Sequence, residues 1–262
     1  MTISAGSGRR PARSLALLVL LGLLGLAATA GFGGLGIWQV GRLGWKLALI
    51  ERVESRIHAP PVAAPGPERW ATIATDEYRW VKLNGHFLNE RETLVQAVTE
   101  HGGGSWVMTP FQSDLGFTVL VNRGFVPPER RDPASRSAGQ AEGDAAVTGL
   151  LRLSEPKGGF LRENDPAAGR WYSRDVEAIA VARSLGTVAP YFIDADATPN
   201  PGGFPIGGLT VVRFSNNHLA YALTWFALAL MVAGATIRVI GGELLRRRGR
   251  GGADMRLTAA AR

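Results

Sequence analysis

The sequence contains no cysteine. That excludes a disulfide framework, a thiolate nucleophile, cysteine-ligated zinc and an iron–sulfur cluster, and it leaves the redox compartment undetermined. Histidine is scarce too, with four in 262 residues. A nucleophilic triad in the central stretch would have to use His58, His86 or His101. His58 abuts a proline-rich linker, His86 falls on the polar side of an alternating strand, and His101 opens a glycine turn. None stands in a nucleophile elbow, and Gly102-Gly103-Gly104 lacks the lysine and hydroxyl of a phosphate-binding loop. Asp194-Ala195-Asp196 could ligate a hard cation but lacks the spacing of a calcium loop. Solvated surface is the better account of all these groups, and the chain does not read as an enzyme.

A basic excess is missing where a nucleic acid would need it. The formal charge is +7, yet residues 38–217 carry 19 Lys and Arg against 20 Asp and Glu, while the two ends together carry 10 against 2. The excess is all terminal, so no nucleic-acid partner is expected. Charge is absent from Ser14 to Val40 and again from Leu219 to Ile237. The second run makes about 29 Å of helix at 1.5 Å per residue, the hydrocarbon thickness of a bilayer. Arg9, Arg10 and Arg13 precede the first run, and Arg238, Arg246, Arg247, Arg248 and Arg250 follow the second. By the positive-inside rule this predicts a multi-pass protein of the cell inner membrane with both termini cytoplasmic and the middle translocated to the periplasm. Arg42, Lys46, Arg52 and Arg56 argue weakly the other way, but long loops cross largely regardless of charge. The expected division is a basic cytoplasmic N-terminus over 1–13, transmembrane helices over 14–37 and 218–237, an extracytoplasmic domain over 38–217 and a basic cytoplasmic tail over 238–262.

The first run has a competing reading. Its arginines, its leucine-rich centre and Ala28-Thr29-Ala30 before Gly31 resemble a cleavable signal peptide. The uncharged stretch continues through Phe32, Leu35, Ile37 and Trp38, which favours an uncleaved anchor.

Beyond the first run, Leu43–Ile57 keeps a helical pattern that continues the span, until the prolines of Ala59–Pro67 stop it. The middle then reads as short strands at 81–87, 93–98, 105–111, 117–126, 147–153, 170–173, 191–193 and 209–214. One helix interrupts them at 176–185, with Asp175 as N-cap and Gly186 as its stop. The predicted fold class is therefore an α+β membrane protein, two transmembrane helices flanking a β-rich domain built as an antiparallel sheet or a partly closed barrel.

At the entry to the second run, His218, Tyr221, Trp225 and Leu228 fall on one helical stripe. At the exit of the first, Trp38, Arg42 and Trp45 share a face at i, i+4 and i+7, with the guanidinium between two indoles and Lys46 beside them. Two readings stay open. Trp, Tyr, Arg and Lys gather at membrane interfaces as anchors, and a terminal histidine can simply face water. Alternatively, two spans of opposite direction bring both clusters to one membrane surface, where an imidazole, aromatic walls and nearby cations offer a haem its axial ligand, its slot and its propionate partners.

The blocks Trp38-Gln39 with Arg42 and Trp45-Lys46, Thr109-Pro110-Phe111, Val119–Gly124, Asn164-Asp165-Pro166 with Trp171-Tyr172, and Asn217-His218-Leu219 with Tyr221-Ala222 and Thr224-Trp225-Phe226 resemble the surfeit-locus-one (Surf/Shy) family of cytochrome c oxidase assembly proteins. The blocks occur in the family's order, from about the first span to the end of the second. The resemblance implies an inner-membrane assembly factor that assists maturation of oxidase subunit I, works with haem a synthesis enzymes or other assembly factors, and binds haem a. The histidine that the family's motif associates with haem matches His218. The reading of the two clusters then expects Tyr221 and Trp225 to line the macrocycle, with Trp38 and Trp45 as indole walls, and Arg42, Lys46 or Arg213 to meet the propionates. The alternative is a cofactor-free membrane scaffold for oxidase assembly. One departure is Phe125, where the family's Asn-Arg-Gly block usually continues with Trp, so an indole hydrogen bond is lost there. Arg123 in the same block is expected to form a structural salt bridge, with partner contact as its second role.

Overall fold

The computed structural model describes residues 14–140, 142–159, 161–212 and 214–260. Arg9, Arg10, Arg13 and Arg213 lie outside them. The chain divides into two units, one of Met1–Leu49 with Phe214–Arg262, whose described residues are largely helical, and a β-rich one of Ile50–Arg213.

Helix α1 runs unbroken over Leu15–Ile57, so the amphipathic stretch does continue the first apolar run, and α3 covers His218–Ala260. The apolar parts of both are long enough to cross a membrane, and only 6% of the most apolar window of each is buried. These are therefore not the core helices of a soluble protein, which bury their apolar residues inside the fold. Within the β-rich unit the end of α1 is held by Trp80, whose indole N–H donates to the Ile57 carbonyl at 2.6 Å, and by Arg56, which donates to the Glu77 carbonyl.

Among its described residues the β-rich unit contains seven strands: β1 (Val62–Ala63), β2 (Trp80–Phe87), β3 (Thr93–Thr99), β4 (Gly102–Ser113), β5 (Thr118–Val126), β6 (Asp144–Leu153) and β7 (Val188–Ala195). Five close into a barrel in the order β2-β6-β7-β5-β4, with β4 pairing back onto β2. The pairings around this ring are antiparallel except for β5 with β7, which run parallel. Strand β4 makes closure possible through its length. One edge pairs with β2 at Phe111–Ser113 and with β3 at Gly102–Met108, while its other edge pairs with β5.

Alternation along the strands sorts side chains between two cores. Val81, Leu83, Phe111, Val119, Val121, Val147, Leu151, Tyr191 and Ile193 fill the barrel, and the Tyr191 hydroxyl finds the Pro65 carbonyl at 2.9 Å. Leu120 and Phe192, one residue out of phase, point outward and join Val95, Met108, Trp171, Val176 and Ile179. That second core is roofed by helix α2 (Val176–Ala182), and β5 is consequently buried along its whole length. The Asp175 side chain caps α2 by accepting from the Ala178 N–H, as expected. The helix stops short of Leu185 because Ser184 takes a left-handed φ of 50°.

Two expected strands are not strands. Residues 170–173 contribute only isolated bridges, Arg170 to Asp165 and Trp171 to Val95, because the tight Asp165–Arg170 turn opens the segment and the α2 cap follows at once. Leu209–Val212 and Phe214 form no strand, and the closed ring offers them no barrel edge. In the linker, Val62–Ala63 pairs in parallel with β2, and Pro67–Asp76 winds into 3-10 turns.

Two charged groups are placed differently from expectation. Asp194 is not solvated surface. It is 2% exposed, accepts from Asn122 at 2.7 Å and lies between Arg152 at 3.2 Å and Arg174 at 3.0 Å. Even-numbered residues of β5, β6 and β7 face away from the barrel interior, so Asn122, Arg152 and Asp194 meet on its outer wall. Burial alone would lower the Arg174 pKa, but the carboxylates of Glu155 and Asp194 outweigh it and leave it raised. Asp196 fits the solvated reading and accepts from the Thr198 N–H.

Arg123 is 3% exposed and, among the described residues, does not form the expected salt bridge. Its guanidinium stacks 4.5 Å from the Phe87 ring centroid and donates to the Gly139 carbonyl, to Asn200 at 3.1 Å and to Asn89 at 3.3 Å. Burial pulls its pKa down to about 10, against the pull of Glu92, whose carboxylate is bonded to Arg136. A single cation thus ties three loops to the barrel rim. Arg123→Met keeps a stem over Phe87 and removes every donor, so it should cost about 2 kcal/mol or more, read as a fall in the thermal midpoint of the detergent-solubilised protein.

Candidate functional site

Spacing on α1 determines what faces α3. Gly22, Gly25, Thr29, Phe32, Gly36 and Gln39 recur every three or four residues and share one face, with Lys46 two turns further along it. A Cβ at Gly25 would lie 2.2 Å from the Thr236 hydroxyl, and one at Gly36 2.5 Å from the Phe226 ring. Glycine is thus required for the helices to approach this closely, as small residues permit in membrane helix pairs. On α3 the matching positions Ala222 and Ala229 are 2% and 8% exposed.

Where the seam reaches the start of α3 it becomes aromatic and polar. Phe32 stacks on Trp225 with centroids 5.6 Å apart. The Nδ1 of His218, half-buried as the first residue of α3, meets the Gln39 side-chain oxygen at 2.7 Å. Lys46 places its Nζ 5.1 Å from the Phe214 ring centroid. Such pairing satisfies polar groups at a position where the flanking helix surfaces are apolar.

The remaining expected site residues stand apart from this seam. Arg42 lies between the indoles of Trp38 and Trp45, 6.0 and 4.9 Å from their ring centroids, as the spacing predicts. At 100° per residue this ladder is centred roughly 100° around α1 from Gln39. Trp38 and Trp45 are 56% and 52% exposed, as is Tyr221 at 55%. Among the described residues no hydrogen bond or ring contact joins the ladder to His218, Tyr221 or Trp225. Gln39 and Phe32 are the seam residues that the stripe of α3 did not reveal; both follow from the three-and-four spacing of the glycines on α1.

The three other histidines are exposed, and His101 stacks beside Phe125 at 6.1 Å. Phe125 itself is fully buried and meets Trp106 edge-on, so the position asks for a ring and leaves no indole N–H to satisfy.

A model of the SURF1 family matches residues 26–230, from within α1 to within α3. The chain belongs to the SURF1 family. It is 43% identical to the human surfeit locus protein 1 over 212 residues, covering 74% of this chain and 69% of the human one. The protein of the same name from Rattus norvegicus is 42% identical over 210 residues, with 74% and 67% covered. A SURF1-like protein of Monosiga brevicollis is 39% identical over 209 residues, covering 74% and 78%. The family match thus takes in both the Gln39–His218 contact and the whole barrel.

The seam can be tested because no native thiol interferes. A Cβ at Gly25 would stand 2.9 Å from that of Thr236, so Gly25→Cys combined with Thr236→Cys should cross-link on oxidation after slight adjustment. Proteolysis between the helices should then leave fragments that separate only after reduction.

Proposed function

We propose that this chain is a two-span inner-membrane assembly factor for cytochrome c oxidase that holds haem a through His218 as cargo for subunit I. The observation that carries the reading is the commitment of His218 Nδ1 to Gln39, since a histidine whose Nδ1 proton is donated keeps Nε2 as a basic nitrogen suited to iron. The surrounding side chains suit an apolar, anionic ligand. Trp225 and Phe32 supply aromatic surface two turns deeper along the same seam, and Lys46 and Arg42 supply cations one to two turns along α1 from Gln39. The family membership supports the same role, as do the helix surfaces, where Leu23, Leu26, Ile37, Leu223, Leu230 and Ile237 are each more than 60% exposed and need lipid around them.

The arginines near both termini support a cytoplasmic location for the two ends and a periplasmic one for the barrel, which would there contact subunit I, haem a synthesis enzymes or another assembly factor. The exposed Trp38–Arg42–Trp45 ladder then has a second use at the headgroup level, indoles in the interface and guanidinium toward phosphate. Protein produced together with the haem a synthesis enzymes should carry haem a, and His218→Ala should lose that absorbance while remaining folded in the membrane. Stoichiometric haem in His218→Ala would sink the ligand assignment, and a haem-free native protein that still supports oxidase assembly would leave the scaffold reading in its place.

A further inference from the structure

We infer that Gln39 is the positioning residue for His218, fixing the imidazole in the tautomer that carries its proton on Nδ1 and keeps Nε2 bare. The tautomer assignment stands on the contact alone; its consequence for iron rests on the haem reading above. Gln39 is an uncharged polar side chain within the long apolar stretch of α1, and its register on that helix is set by Phe32 and Gly36 at i−7 and i−3, which both pack on α3. Its carboxamide is therefore held toward α3, where the first residue of that helix, 179 positions later in the chain, brings Nδ1 to 2.7 Å from its oxygen. An amide oxygen only accepts, so the proton in this bond is the imidazole's.

A simple interhelical tie would also join these groups, but it predicts nothing about the other ring nitrogen. A positioning role does. Partners of the non-ligating nitrogen orient metal-bound histidines and raise their basicity, and their loss typically lowers metal affinity 10–100-fold. The surroundings favour the orienting role, because Phe32 stacked on Trp225 two turns deeper and Lys46 on Phe214, just before α3, hold the backbone on either side of the contact. Rotation of the imidazole is then controlled mainly by the one hydrogen bond.

The test uses the full chain in nanodiscs with 15N-labelled histidine, the His218 signals being identified by their loss in His218→Ala. Native protein without haem should show protonated Nδ1 and unprotonated Nε2, and Gln39→Leu should lose that pattern. Protein made alongside the haem a synthesis enzymes should hold about tenfold less haem or lower in Gln39→Leu. Gln39→Glu should retain haem with a more negative midpoint potential, because a carboxylate draws the Nδ1 proton harder and makes the ligand more basic. That conservative variant also guards against a merely misfolded Gln39→Leu. An unchanged nitrogen pattern in Gln39→Leu, the opposite tautomer in native protein, or unaltered haem content despite an altered pattern each overturns the inference. Haem retained by His218→Ala overturns instead the reading on which the iron consequence rests, so the two failures are separable.

Discussion

The close approach of α1 to α3 is the constraint from which the site follows. Gly25 and Gly36 leave no room for a side chain between the helices, and Ala222 and Ala229 answer them on the other side. At that separation a phenyl ring reaches an indole and a carboxamide reaches an imidazole. Dispersion at such a seam is gained only when surfaces touch, since each atom pair contributes about 0.1–0.2 kcal/mol and loses much of it over a fraction of an ångström. A larger side chain at Gly36 would therefore weaken the seam and part Gln39 from His218 together.

The β-rich unit solves a different problem. A five-stranded ring of short strands holds few interior residues, and here both sides of β5 are used, one for the barrel and one for the core beneath α2. Closure removes the free edges of the ring, which in an open sheet invite pairing with other chains. Buried charges here are partnered: Asp194 lies between two arginines, Glu92 sits on Arg136, and Arg123 sits among neutral acceptors and a ring. Each arrangement joins segments distant in sequence, so removal of one member leaves the others buried and unpaired.

Much of this was legible in the residues. Alternation of period two located β2 through β7, and the apolar runs located both long helices, because burial on one side or exposure to an apolar surround leaves a local pattern. What escaped reading was set by long-range pairing. Arg170–Ser173 has strand-like residues and no strand partner beyond one bridge. Asp194 reads as a surface acid until β6 and the turn before α2 deliver Arg152 and Arg174 to it. Arg123 reads as half of an ion pair, and its acceptors come from residues 89, 139 and 200, which no local signal connects. At the candidate site the histidine, Trp225 and the Trp–Arg–Trp ladder were visible as side chains, whereas Tyr221 stands outside the seam and Gln39 needed the register of two helices.

That register also separates two kinds of aromatic–cation cluster that composition makes look alike. The ladder on α1 and the Gln39 seam lie within two turns of each other along one helix, yet they are rotated by roughly 100°, so one faces outward and the other faces α3. An outward ladder with both indoles about half exposed has the form of an interfacial anchor. In the seam the imidazole is hydrogen-bonded at Nδ1 to Gln39. The rotation of α1 about its own axis is what turns Gln39 toward His218 and the ladder away from it.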